Sequence, residues 1–240
     1  MNITTTAQPA WADDAFLRGF WVATSETPEW IADRTDALLE ALGVACGIRA
    51  WVTYEGDRWE GGPHELADIV RRFPARDRPT AADPDGESLP GEGYSFIVSG
   101  PGAGVDVEVR VAAGSVALAS RLPMHTLSIK LRQKTPGAVT GELGDSVCAA
   151  TVSAWQPATM KLTDSAVNRT ARRGNWKIGV GYRTWISAEV GSISQVADGL
   201  TASELAGGTL ISAPDDWPAE QVVAAMTETL SANGLDEVPH

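Results

Sequence analysis

Residues 105–111 read VDVEVRV and residues 127–132 read LSIKLR, and these two stretches decide the fold class. In both, apolar side chains alternate with polar or charged ones, which is the period of a half-buried β-strand. We expect the two strands to be antiparallel neighbours joined by the intervening turn. Because the alternation is regular, one face of the sheet packs on a core and the other carries polar side chains.

Strands and helices are also predicted on either side of this pair. Residues 16–23 and 48–55 are typical of strands, and Thr27-Pro28-Glu29 is typical of a helix start. One side of that helix carries Ile31, Leu38, Leu39 and Leu42. Further helices are predicted at 64–73, at about 140–154 and from a cap at Asp216 through Pro218 to Asn233-Gly234, and further strands at 176–187 and 208–213. This order predicts an α+β protein, with a mainly antiparallel sheet and helices packed on one side.

Domain organisation is predicted to be simple. We expect one domain over residues 1–240, interrupted by a flexible, solvated loop at about 74–93. Within it, residues 78–93 read RPTAADPDGESLPGEG, a composition rich in Pro, Gly and acidic residues.

The charge balance bears on the kind of partner. The chain of 240 residues has 31 acidic and 19 basic residues, so its formal net charge is −12. Such a protein is repelled by nucleic acid and by anionic membranes, and its field favours a basic partner. Acidity that serves solubility alone is the alternative. The nine Trp residues belong either to a core or to a binding surface.

Catalytic and cofactor patterns are not recognisable in the sequence. The histidines are His64, His125 and His240, and no Ser lies in a G-x-S-x-G pattern. Cys148 lies inside a predicted helix among Ala and Val, so we interpret it as a buried structural thiol and not as the partner of His125. No residues have the spacing of a metal site or of a phosphate-binding loop. We therefore expect no catalytic, metal or cofactor-binding residues, no cofactor and no enzymatic activity.

Localisation is predicted to be cytoplasmic. The first residues lack a positive charge and an apolar run, and no apolar stretch approaches the roughly 20 residues that cross a bilayer. Cys46 and Cys148 have no CxxC spacing, which suits a reducing compartment, although they would pair if the fold brought them close.

Several motifs resemble a known family when they are taken in order. They are Phe20-Trp21 in a strand, a following helix with Glu26 and Ala32-x-Arg34, Trp51, Arg58-Trp59, the run VSAWQPATMK at 152–161 and the run IGVGYRTWIS at 178–187. This set, from about Phe16 to Leu235, resembles the immunity protein 52 family of bacterial polymorphic-toxin systems. A type VI secretion immunity family has a similar layout.

The resemblance implies a protein that binds a cognate toxin in the cytoplasm of the producing cell and blocks it by direct occlusion. Toxins of such systems are often nucleases, which must carry positive charge to hold phosphates, so an acidic inhibitor suits them. The candidate partner-binding residues are Asp13, Asp14, Glu26, Glu29, Trp30, Asp83, Asp85 and Glu87. By contrast, Trp21, Trp155 and Trp185 are interpreted as fold determinants. An enzyme with an unrecognised cleft and an oligomerising scaffold remain as alternatives.

Overall fold

A single antiparallel sheet organises the chain. The computed structural model describes residues 8–22, 25–77, 86–89, 91–116 and 122–240. The strands in this part of the chain are β1 (Phe16–Trp21), β2 (Val52–Thr53), β3 (Tyr94–Pro101), β4 (Val105–Ala113), β5 (His125–Gln133), β6 (Thr159–Thr163), β7 (Arg183–Ser187), β8 (Thr201–Leu205) and β9 (Gly208–Ser212). They form one sheet in the order β2-β3-β4-β5-β1-β6-β7-β9-β8.

Five α-helices accompany the sheet within the described ranges. They are α1 (Pro28–Cys46), α2 (Pro63–Arg71), α3 (Gly141–Trp155), α4 (Ser165–Ala171) and α5 (Ala219–Ala232). A 3-10 turn at Ala12–Asp14 precedes β1. Because every pair of neighbouring strands is antiparallel and the helices lie outside the sheet, the predicted α+β class is confirmed.

The strand pair that decides the fold forms as predicted. β4 and β5 are antiparallel neighbours, with Val109 opposite Ile129 and Glu108 opposite Lys130. The alternate apolar residues of both strands are buried, whereas Arg110 and Lys130 are exposed on the other face. The regular period of two therefore separates a core face from a polar face, as the alternation indicates.

Helices α1, α2 and α3 belong to the core face. α1 contacts both α2 and α3, and each of the three contacts a strand. The apolar side of α1 is buried as predicted, with Thr27 at its N-cap and Gly47 in the left-handed conformation after its end. At Gly144, α3 packs closely against the Trp11 ring, because an added Cβ would lie only 2.6 Å from that ring.

The opposite face is covered over β1 and β6 by other segments. Lys161 of β6 donates a hydrogen bond to Asn168 of α4 at 2.7 Å. Phe20 of β1 makes an edge contact with Trp176, with ring centroids 5.9 Å apart. Helices α1, α2 and α3 thus lie on one side of the sheet, as predicted. α4 packs on the second face and contacts α5.

A buried arginine joins the N-terminal segment, α3 and the loop after β9. Arg183 donates to Asp145 at 2.6 Å and to Asp215 at 2.9 Å, and its guanidinium also reaches two backbone carbonyls. The indole of Trp11 donates to the same Asp215 oxygen at 2.9 Å. This side chain is therefore paired and hydrogen-bonded, as a buried charge must be.

Three predicted boundaries are wrong. The strand predicted at 176–187 is confined to Arg183–Ser187, because the preceding segment pairs with the C-terminal tail, with the Ile178 N–H donating to the Asp236 carbonyl at 2.9 Å. The strand predicted at 48–55 shrinks to Val52–Thr53. Helix α5 begins at Ala219 with Pro218 in the N-cap position and no side-chain cap, so Asp216 does not cap it.

The two ends of the segment predicted as a flexible loop are hydrogen-bonded to each other. The Ala75 N–H donates to the Gly93 carbonyl at 2.8 Å, and the Asp77 N–H donates to the Glu87 carbonyl at 3.0 Å. Asp83 and Asp85 lie outside the described residues. Among the described residues, no helix combines the length and apolar character needed to span a bilayer.

Candidate functional site

Three tryptophans meet at one end of the sheet and line a groove. Trp21 ends β1, Trp30 lies in the first turn of α1, and Trp155 ends α3. The Trp21 and Trp155 ring centroids are 5.2 Å apart, and those of Trp30 and Trp155 are 5.6 Å apart. The cavity between them has a volume of about 360 Å³. We call it the tryptophan groove; its lining also includes Val22, Glu26, Pro157 and Glu189.

Local sequence signals at the helix ends fix the positions of Trp30 and Trp155. The Thr27 hydroxyl accepts a hydrogen bond from the Trp30 N–H at 3.3 Å, so the cap fixes Trp30 in the first turn of α1. Gln156 adopts the left-handed conformation directly after Trp155 and ends α3 there. Arg34 donates to the Ala154 carbonyl at 2.7 Å and lies over the Trp30 ring, 5.0 Å from its centroid. This cation–π contact orients Trp30 relative to the end of α3.

Beneath the groove lies a buried polar network centred on Glu26. One carboxylate oxygen accepts from the Trp21 indole N–H at 2.9 Å, and the other accepts from the Gly114 N–H at 3.0 Å. His125 Nδ1 lies 3.1 Å from the second oxygen. The network joins the end of β1, the segment before α1 and the turn after β4.

The hydrogen bonds of His125 define its role. Its Nε2 accepts a hydrogen bond from the Ser115 backbone N–H at 2.8 Å, so in the neutral ring the proton is on Nδ1, which lies near Glu26 without a hydrogen bond of good geometry. The side chains of Ser115, His125 and Glu26 are the types found in a hydrolase triad. However, the nitrogen that would act as base is occupied by a backbone amide, and the Ser115 hydroxyl donates to the Gly91 carbonyl at 3.3 Å. The arrangement braces the turn and presents no free base.

Glu26 therefore differs from the exposed contact that the sequence predicts. Only 8% of it is exposed, because its carboxylate is used by internal donors. The acidic composition made it a candidate for a charged surface, but the donors that surround it are visible only in the fold.

The Trp155 indole N–H, at the same place, is a buried donor without an acceptor among the described residues. Trp155 is 2% exposed. An indole N–H is a donor only, and leaving a buried donor unpaired costs about 1–3 kcal/mol.

The exposed side of α1 continues from the groove as a row of acids. Glu29, Asp33, Asp36 and Glu40 are all exposed, and their spacing of i, i+4, i+7 and i+11 places them on one side of the helix. We call this row the acidic stripe. Glu29 pairs with Arg71, and its own backbone N–H, then Thr27 and Arg71, hold its pKa below the usual value. Asp36 accepts from the Trp59 indole at 3.1 Å. The stripe is a negatively charged surface beside an aromatic groove.

The six predicted partner-binding residues that lie in the described part of the chain do not form one surface. Glu26, Glu29 and Trp30 come together around the start of α1. Asp13 and Asp14 precede β1 and lie at the end of that strand opposite to Trp21, where Asp14 accepts from the Ser165 N–H at 3.1 Å. Glu87 is exposed in the segment before β3.

Two features of the site escaped the sequence reasoning. The sequence predicts Trp21 and Trp155 as fold determinants only, yet both also line the groove. The acidic stripe is readable from the spacing of Glu29, Asp33, Asp36 and Glu40, because the apolar residues of α1 fix which side of the helix is exposed. The meeting of Trp21 with Trp155 has no local signal.

Thiols and metal ligands give no alternative site in the described part of the chain. Cys46 and Cys148 are both free. Burial raises the pKa of Cys46 to about 11 and raises that of Cys148 further, so both favour the protonated form. No group of three or more His, Cys, Asp or Glu residues in the described ranges is arranged to hold a metal ion.

Comparison with known proteins adds a structural likeness. No protein-family model matches the sequence, and no curated protein matches it. One solved structure similar to this chain is described as a Pseudomonas aeruginosa T6SS protein. It shares 10% identity, with a TM-score of 0.49, over 92% of this chain and 77% of that chain. Membership of the immunity protein 52 family stays a prediction.

Proposed function

We propose that this protein is an immunity protein that binds a basic, nuclease-like toxin and blocks it by occlusion. The observation that carries the proposal is the tryptophan groove with the acidic stripe beside it. Together they combine aromatic anchors and negative charge in one place, which are the two elements of a tight interface with a cationic partner.

Charge supports the choice of a basic partner. The whole chain carries a formal charge of −12, and the acidic stripe adds a local concentration of carboxylates on one helix. A nuclease must present cations to hold a phosphate backbone. Long-range attraction would speed the encounter, and the rate would fall as salt is added.

The groove supports a buried anchor. Large aromatic side chains and Arg are enriched among the residues that dominate binding energy. A cationic or apolar side chain of the toxin would pack against the accessible part of the Trp30 indole. We assign Trp30 the contact role, because it is only half-buried whereas Trp21 and Trp155 are buried.

Co-expression with the toxin encoded next to this protein tests the proposal. We expect growth to be restored by the wild-type protein and by a Tyr54→Ala control, since Tyr54 is 84% exposed and distant in sequence from the groove. We expect Trp30→Ala to weaken the purified complex by about 30-fold, the effect of losing a contact of roughly 2 kcal/mol. Absence of both rescue and binding by the wild-type protein would overturn the proposal.

Salt dependence separates the charged contribution from the aromatic one. Raising the salt concentration is expected to slow association of the wild-type protein and to leave the effect of Trp30→Ala on dissociation in place. Association that does not respond to salt would contradict the role of the acidic stripe.

A further inference from the structure

A cavity of about 150 Å³ lies on the second face of the sheet, between β1 and β6 and the segment 173–179. Four cationic side chains line it: Arg18, Lys161, Arg173 and Lys177. Its walls also include Phe20, Leu122 and Pro123. A concentration of positive charge in one cavity is unexpected in a chain with a formal charge of −12.

Two of these cations, the exposed Arg18 and the buried Lys161, have no carboxylate partner among the described residues. Arg18 and Lys161 lie directly opposite each other on neighbouring antiparallel strands, an arrangement that is destabilising for like charges. The Lys161 ammonium is bonded to the neutral Asn168 side chain at 2.7 Å, although Lys161 is only 8% exposed. The Arg18 side chain makes no hydrogen bond or ion pair with any other described residue.

The other two cations, Arg173 and Lys177, are paired with carboxylates. Arg173 pairs with Asp236 at 2.6 Å and also donates to the Ile178 carbonyl at 2.7 Å. Lys177 pairs with Asp236 and, at 3.5 Å, with Glu237. The hydrogen bond to Asp236 raises the pKa of Lys177. Carboxylates therefore neutralise Arg173 and Lys177, whereas no described carboxylate pairs with Arg18 or Lys161 in the same cavity.

The surroundings of Lys161 disfavour its charged form. Burial, and then the charges of Arg18 and Arg173, lower its pKa to about 8. The groups that face it are Arg18 from β1, Asn168 from α4, and Arg173 and Lys177 from the segment 173–179. An anion placed between Arg18 and Lys161 would reverse the effect of these neighbours.

We propose that this cavity binds the phosphate group of a small phosphate monoester. A guanidinium and an ammonium side by side match the charge and the oxygen acceptors of a phosphate. The apolar walls suit the organic part of such a ligand. This site is on the opposite face from the core-side helices and does not depend on the proposed toxin binding.

Titration calorimetry with inorganic phosphate tests the site on the full chain. The ionic strength is held constant with chloride, and acetate is the comparison anion. We expect saturable phosphate binding that weakens by about tenfold or more in Arg18→Gln and in Lys161→Met. Lys130→Gln is the matched control, because Lys130 is an exposed cation on the same sheet face and does not line the cavity.

A proton measurement makes the test specific to the cavity. At about pH 9 much of Lys161 is deprotonated while phosphate is already dianionic, so binding should be accompanied by proton uptake. Calorimetry in two buffers of different ionisation enthalpy measures this uptake, which we expect to vanish in Lys161→Met. No saturable binding to the wild-type protein, equal binding of acetate, or equal weakening in Lys130→Gln would overturn the proposal.

Discussion

Replacing Glu26 with Gln separates a buried structural carboxylate from a surface contact. Gln keeps one acceptor oxygen and puts an NH₂ donor in the place of the other. Whichever way the amide is turned, either the Trp21 indole N–H or the Gly114 N–H loses its acceptor. A hydrogen bond to a charged group contributes about 1.5–3 kcal/mol, and an unpaired buried donor costs about 1–3 kcal/mol. Because these terms overlap, we expect the free energy of unfolding to fall by about 2–4 kcal/mol.

Urea unfolding followed by tryptophan fluorescence measures the loss, and the Trp21 indole proton resonance reports the broken bond. In a protein of this size the melting temperature should fall by about 5–15 °C. Glu40→Gln is the control, since it makes the same chemical change at an exposed position of α1, and we expect it to leave the unfolding midpoint unchanged. If Glu26→Gln unfolds within about 0.5 kcal/mol of the wild type, the network does not brace the turn as the structure indicates.

Three further predictions concern other buried polar groups. Arg183→Met removes the hydrogen bonds to Asp145, Asp215 and two backbone carbonyls. Because both carboxylates stay partly exposed, urea unfolding should show a loss of about 1.5–3 kcal/mol; a loss below about 0.5 kcal/mol would refute the pairing. Lys161 has a folded pKa of about 8 against an ordinary 10.5, so the unfolded chain binds the extra proton between these values and wild-type stability rises with pH across this interval. Lys161→Met should lack that rise and should exceed the wild type in stability below pH 8, and a parallel pH profile would contradict the lowered pKa. Burial, and then nearby carboxylates, raise the pKa of Tyr182 from 10.0 to about 12. The stability that the protonated Tyr182 contributes is therefore complete below pH 10 and is lost as the pH approaches 12. Tyr182→Phe should remove that part of the alkaline loss, and unfolding midpoints that fall equally in both proteins would refute it.

The predictable part of the fold is the part that local pattern decides. β4 and β5 alternate strictly, and α1 has a cap, an apolar side and a terminal glycine, so both follow from the sequence. β3 also buries alternate residues, Phe96 and Val98, and this weaker alternation after a Pro- and Gly-rich segment was not recognised. β8 is exposed from Thr201 to Glu204, so no alternating burial pattern marks it.

Tertiary contacts decide what local pattern leaves open. Residues 176–182 have strand-like composition, yet the backbone of Ile178 bonds to the C-terminal tail at Asp236. Gly181 lies so close to β6 that a Cβ would be 2.2 Å from the Leu162 carbonyl oxygen. Long-range packing thus overrides the local preference of this segment.

The candidate site follows the same division. The sequence identifies Trp30 and Glu29 correctly as residues near the start of α1, and composition indicates an acidic surface. It does not reveal that Glu26 faces inward, because the donors come from β1 and from the turn after β4. The positions of Arg18 and Lys161 on opposite strands likewise depend on the register of β1 and β6.

The affinity of two charge-matched variants for the toxin tests the central claim most directly. One variant carries Glu29→Gln, Asp33→Asn and Glu40→Gln on the acidic stripe; the other carries Glu204→Gln, Glu220→Gln and Glu228→Gln, which are exposed acids elsewhere. Both lose three negative charges. We predict that the stripe variant binds about tenfold more weakly than the wild type and associates more slowly, while the other variant changes little. Equal weakening of the two would show that net charge, and not the surface of α1, attracts the toxin, and would contradict the account.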